Sequence, residues 1–205
     1  MRPGQIVILN GAPRSGKSSI ASVICESFPG RWINLGVDAA MARMPAEERP
    51  GLGLRPGGER PDLEDVVCRQ YAALYDAIAG ESRSGGNVVV DVGHHDSHSR
   101  PLGILRDCAR RLAGLPVLFV GVRCPIETIM ARRNAGGEGY VKGTAENPVP
   151  TPVRRWQEAV HAHGLYDLEV DTSVLTPGEC AAVIREALEA GPQKQTAFRQ
   201  IAERP

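Results

Sequence analysis

The sequence predicts an α/β fold of three layers, with a five-stranded parallel sheet between two layers of helices, and three observations predict it. Short apolar runs, most of them rich in β-branched residues, recur along the chain as buried parallel strands do. Each is followed by a stretch with apolar residues at helical spacing, and strict strand–helix alternation calls for a parallel sheet covered on both faces. The first run leads straight into a glycine loop fitting G-x-x-x-x-G-K-[ST] at every fixed position. Together these describe a three-layer P-loop NTPase fold of the nucleotide-kinase-like kind.

Ile6 to Asn10 is the first strand. The loop after it runs Gly11, Ala12, Pro13, Arg14, Ser15, Gly16, Lys17, Ser18, Ser19, and a helix with Ile20, Val23 and Ile24 follows. Glycines let backbone N–H groups close around phosphate oxygens, and the new helix turns its positive end toward them. All nine loop residues are therefore candidates for nucleotide binding. Lys17 would reach the β- and γ-phosphates, and the Ser18 hydroxyl would ligate Mg²⁺.

Pro29-Gly30 breaks the chain before a second strand, Arg31 to Gly36, which ends at Val37-Asp38. Ligands in open α/β sheets bind beyond the carboxyl ends of the strands, so Asp38 is expected in the same crevice as Lys17. A short helix is expected over Ala39 to Met44. Pro45 to Asp62 is rich in Pro, Gly, Arg and Glu and reads as an irregular acceptor-side wall or a solvated loop, with Arg55 and Arg60 as its candidate substrate contacts. Leu63 to Ser82 is a helix. Asn87 to Asp91 is a third strand closing on an acid, as beside a P-loop the metal-side carboxylate does, so Asp91 is a candidate for both metal and substrate. His94, His95 and His98 follow. Their spacing does not suit a zinc site, and they are read as lining the acceptor pocket or its rim, His94 and His95 foremost, or as plain loop histidines.

Ser99 is expected to cap the next helix, through Leu112, and Pro116 to Arg123 is the fourth strand. Pro125 opens a helix ending in Arg132 and Arg133, where a lid closing over the transferred phosphate would add positive charge. Val153 to His163 is a helix and Asp167 to Asp171 the fifth strand; Thr172 opens a polar loop expected near the adenine. Pro177 to Ala190 is the closing helix. Residues 1–190 thus read as one domain, with an acceptor-side segment at 38–65, a lid at 125–150 and a polar tail at 191–205.

Lys plus Arg equal Asp plus Glu at 24 each, which argues against generic nucleic-acid or membrane-surface binding. The five cysteines form no C-x-x-C pair, so neither a zinc site nor a disulfide framework is indicated, and a reducing cytoplasm is expected. No signal peptide or membrane-length apolar run is read in the chain. A homo-oligomer is left open.

Leu35-Gly-Val-Asp38, Asn87 to Asp91, Val120-Gly-Val-Arg-Cys124 and Glu169-Val-Asp-Thr172, taken with the P-loop, resemble the chloramphenicol phosphotransferase family over about Ile6 to Leu188. The resemblance implies transfer of the γ-phosphoryl group of ATP, with Mg²⁺, to a hydroxyl of a small molecule. It implies Asp38 as the catalytic base, Arg132 or Arg133 as the lid arginine and Asp91 as the acid of the third strand. The Val92-Gly-His94-His95 run and the charged Arg55 to Pro61 segment depart from what an apolar drug pocket would want. Two alternatives stand beside this. A nucleotide, sugar or metabolite kinase of the same fold would need arginines for a charged acceptor, which Arg55 or Arg60 could supply. A non-catalytic ATP-binding regulatory module would bind nucleotide without transfer.

Overall fold

A computed structural model of the chain describes residues 2–36, 55–136, 141–191 and 195–204. Five parallel strands form one sheet, in the order β2-β3-β1-β4-β5. They are β1 (Ile6–Asn10), β2 (Trp32–Asn34), β3 (Asn87–Val92), β4 (Val117–Arg123) and β5 (Leu168–Asp171). The central strand is buried from end to end, which is why it reads as an unbroken apolar run rather than an alternation.

Its side chains still alternate between two layers. Ile6 and Ile8 face a core built with α2 (Glu64–Arg83), α3 (Ile104–Arg111) and α7 (Ala197–Glu203). Val7 and Leu9 face the other core, with α1 (Lys17–Ser27) and α6 (Pro177–Glu189). Helix α2 earns its place through Val67, Tyr71, Tyr75 and Ile78, buried at helical spacing. Helix α6 starts on a capping box in which Thr176 and Glu179 each satisfy the other's backbone N–H. Two further helices, α4 (Ile126–Asn134) and α5 (Thr151–Ala159), share a smaller apolar cluster with Ala12 of the glycine loop. Strand order reverses beside β1, so the carboxyl ends of β1, β3 and β4 frame a crevice.

The helix after Ser99 begins only at Ile104, behind the left-handed Gly103. Ser99 is drawn away from capping by the buried Glu64 carboxylate, to which its N–H and hydroxyl donate at 2.7 and 2.6 Å. The polar stretch after Gly191, read as a tail, contains α7, whose Ala197, Phe198 and Ile201 are buried. Phe198 packs edge-on against Phe119 of β4 and stacked on Tyr75 of α2. Four apolar residues, Ala202 with these three, give almost no periodic signal in a short polar segment, and so short a helix holds only because tertiary contacts bury them. The expected helix at Ala39 to Met44 and the strand end at Val37-Asp38 lie outside the described residues.

Candidate active site

The loop between β1 and α1 has the geometry its glycines predict. Gly16 lies at φ 97°, and a side chain there would crowd Thr172. A Cβ at Gly11 would stand 2.6 Å from the Val122 carbonyl oxygen. Gly16, the N-cap of α1, supplies no side-chain oxygen, so the first-turn N–H groups are left to the cleft. Arg14 holds a left-handed φ of 72°, uncommon for a residue with a Cβ. It is held there by its guanidinium, which donates to the carbonyls of Arg132 (2.6 Å) and Gly136 (3.2 Å). The Lys17 ammonium donates to the carbonyls of Gly11 and Ala12, both at 2.9 Å, and so lies along the loop it would serve.

Ser18 and Asp91 meet here. Sheet register puts Asp91 opposite Leu9, one residue before the end of β1, and the Ser18 hydroxyl donates to its Oδ2 at 2.7 Å. A hydroxyl and a carboxylate converging at the start of a P-loop helix are the hard oxygen donors that Mg²⁺ takes, usually with waters and phosphate oxygens completing the shell. Gly36, past the end of β2, lies so close to Asp91 Oδ1 that any Cβ there would collide with it.

Arg14, Lys17, Ser18, Arg132, Thr172 and Pro177 are among the walls of a cleft of about 370 Å³ over the loop. Arg132 is the keystone of its far side. Its guanidinium donates to the Thr172 carbonyl (2.7 Å), the Thr172 hydroxyl (3.1 Å) and the Arg14 carbonyl (3.2 Å). The Thr172 hydroxyl in turn donates to the Ser15 carbonyl at 2.6 Å. Thus α4, the loop after β5 and the glycine loop are bound together around a positive pocket shaped for a polyanion. Arg133 is buried and is not among the walls of this cleft.

His94 and His95, after β3, are buried. His94 is fully inside the core: its N–H donates to Asn10 Oδ1 at 2.6 Å, and its Nε2 shares a 2.6 Å hydrogen bond with the Tyr75 hydroxyl. Burial lowers its pKa to about 3, so it is held neutral in the core. His95 is buried with its ring edge-on to Trp156 of α5 and packed on His98. The Trp156 indole presses on Gly93, where a Cβ would come within 2.8 Å of it. The segment at 55–60 is stapled to this corner by Arg155–Glu59 (2.9 Å) and by the Gly57 N–H donating to the Ser97 carbonyl (2.6 Å). Arg60 is already paired with Asp62 at 2.6 Å, and Arg55 is half-buried. Asp38 lies outside the described residues.

A polar hub ties this corner to the loop. Asn10, buried and next to Gly11, donates through Nδ2 to the Val160 carbonyl (3.0 Å) and to the Tyr166 hydroxyl (2.8 Å). His163 Nδ1 accepts from the Leu165 N–H (3.2 Å), which leaves the proton on Nε2 to be donated to Tyr166 Oη at 3.0 Å. With two donors received, the Tyr166 hydroxyl gives its own proton to His161 Nδ1 at 2.6 Å.

Comparison with known proteins bears on what this cleft does. The model of the family described as chloramphenicol phosphotransferase-like protein matches residues 4–189. The chain belongs to the chloramphenicol phosphotransferase-like family. A Mycobacterium tuberculosis protein named "Putative O-phosphotransferase" is 26% identical to it, over 100% of this chain and 90% of the relative. A sugar kinase structure from Janibacter has TM-score 0.62 at 16% identity, covering 98% of this chain and 100% of that one. The M. tuberculosis APS kinase CysC has TM-score 0.57 at 15% identity, covering 92% and 99%. These two likenesses are ones of fold. The family and the loop make the chain a nucleotide-binding P-loop phosphotransferase.

Of the family residues read from sequence, the structure brings Lys17, Ser18, Asp91, Arg132 and Thr172 to one cleft. Arg133, and outside the family pattern His94 and His95, are buried and not on the walls of that cleft. Asn10, Trp156, His163 and Tyr166 are not singled out by the sequence. Asn10 has a signal, an amide closing an apolar strand, since a buried polar group must find partners. The other three depend on contacts between segments far apart in the chain.

Proposed function

We propose that this chain transfers the γ-phosphoryl group of ATP to a hydroxyl of a small molecule. The observation that carries the reading is the 2.7 Å contact of Ser18 with Asp91, beside the N-terminus of α1 and the Lys17 ammonium. The loop N–H groups and Lys17, exchanging its carbonyl partners for phosphate oxygens, hold the β- and γ-phosphates. Ser18 and Asp91 are the residues that would hold Mg²⁺, which when bound spreads the charge of the phosphates. Arg132 keeps the nucleotide side of the cleft closed around the polyanion. Asp38, four residues after β2 in the sequence, takes the proton of the acceptor hydroxyl. The acceptor oxygen bonds to the γ-phosphorus as the bond to the β–γ bridging oxygen breaks, and ADP leaves. Positioning and electrostatics supply most of the rate.

A neutral acceptor suits the described residues better than a second phosphate. Arg60 and Arg155 on that side are each neutralised by an acid, and the nearby aromatic surface is Trp156. The test is a pair of variants assayed for both ATP binding and transfer. Lys17→Ala is expected to lose transfer by at least about a hundredfold together with much of its ATP affinity. Asp38→Asn is expected to bind ATP as the native chain does and to fail in transfer. Transfer at the native rate by Asp38→Asn would sink the base assignment.

A further inference from the structure

A second cavity, of about 550 Å³, opens among the loop after β3, the start of α3, the end of α5 and α7. It shares no residue with the nucleotide cleft. Its volume is that of a small-molecule site rather than of a packing flaw. Leu102, Leu105 and Ile201 give it an apolar body, and two arginines stand on its wall. Arg106 makes no ion pair among the described residues. Arg204 is likewise without an acid there and donates one N–H to the His163 carbonyl at 3.3 Å. The single acid on the wall, Asp96, is exposed, and its Oδ1 is engaged by the N–H groups of Leu102 (2.9 Å) and Gly103 (3.1 Å), so two guanidinium groups face one carboxylate. The wall therefore offers an apolar floor with an excess of positive charge and multiple unused guanidinium donors.

We propose that this cavity is a second small-molecule site, taking an organic anion with a compact apolar or aromatic body. The arginines receive the carboxylate, sulfonate or phosphate group, and Leu102, Leu105 and Ile201 cover the body. The site is separate from the nucleotide cleft but not isolated from it. His163 stands on its wall, donates to Tyr166 Oη, and so shares that hydroxyl with Asn10, the residue before Gly11.

The test needs neither turnover nor knowledge of the acceptor. The full chain is titrated with 1-anilinonaphthalene-8-sulfonate, an aromatic anion of the right class, by fluorescence and by calorimetry. One saturable site is expected, undisturbed by saturating ATP. Arg106→Gln with Arg204→Gln is expected to weaken binding at least about tenfold, which is one lost charge-assisted contact or more. Leu105→Trp, which fills the cavity while keeping both arginines, is expected to abolish it, with circular dichroism showing that each variant is folded. The uncharged N-phenyl-1-naphthylamine is expected to bind at least about tenfold more weakly than the sulfonate. Absence of a saturable site, displacement by ATP, or equal binding by the variants would overturn the proposal. Equal binding of the uncharged probe would overturn its anionic part.

Discussion

Asp91 is held between three constraints: the backbone of Gly36, the hydroxyl of Ser18 and the register of β3 against β1. A carboxylate so fixed is poised for a cation, and Asp91→Asn keeps the shape while removing the charge. That variant is expected to lower phosphoryl transfer by about a hundredfold or more with little change in folding, measured by product formation and thermal melting. His94 tests the opposite kind of residue. Burial lowers its pKa to about 3, and burial above all brings His161 and His163 to about 4. Each is neutral in the native chain and protonates near 6.5 when unfolded. The unfolded chain thus binds more protons below about pH 6.5, so stability is whole above that value and falls as pH drops through 4 toward 3. Urea unfolding between neutral pH and pH 4 should show this slope, and His94→Gln should flatten it. An unchanged slope in that variant would mean that His94 titrates normally.

At the scale of elements, α7 and α4 carry the clearest expectations. Phe198 is buried between β4 and α2, and Phe198→Ala is expected to cost about 3–5 kcal/mol in denaturant unfolding, as a large-to-small change in a core does. A loss below about 1 kcal/mol would mean that α7 is not part of the core, by the same comparison. Arg132→Ala removes the three bonds that tie α4 to Thr172 and Arg14, and is expected to raise the KM for ATP more than it lowers kcat. These elements also show what the sequence could and could not tell. The glycine loop, Lys17, Ser18 and Asp91 were legible because their chemistry is local: a spacing, a strand end, a helix start. Helix α7 was not, because Phe198 and Ile201 become core residues only once Phe119 and Tyr75 stand opposite them. The burial of His94 and His95 has no local mark either, since adjacency to a strand end cannot say how deeply a histidine is covered. The anchoring of Arg132 on Thr172, across 40 residues of chain, had no local mark at all.

The whole molecule is a sheet with one functional edge. Central strand β1 brings the glycine loop to the point where strand order reverses, α4 and α5 pack against that loop, and the segment at 55–60 is held to α5 by Arg155–Glu59. Among the described residues no helix is long and apolar enough to cross a membrane. Family and fold make this a nucleotide-binding P-loop phosphotransferase, and Trp156, His95 and the stapled segment pack together at the neighbouring corner. Phosphoryl transfer itself is the most direct test of the proposed activity. The native chain and Lys17→Ala should be incubated with Mg²⁺, ATP and a panel of neutral hydroxyl compounds, amphenicols, nucleosides and sugars among them, and each compound weighed by mass spectrometry. The account predicts that at least one gains a single phosphoryl group with the native chain and none does with Lys17→Ala. Phosphorylation by both proteins alike, or by neither while the native chain binds ATP, would contradict it.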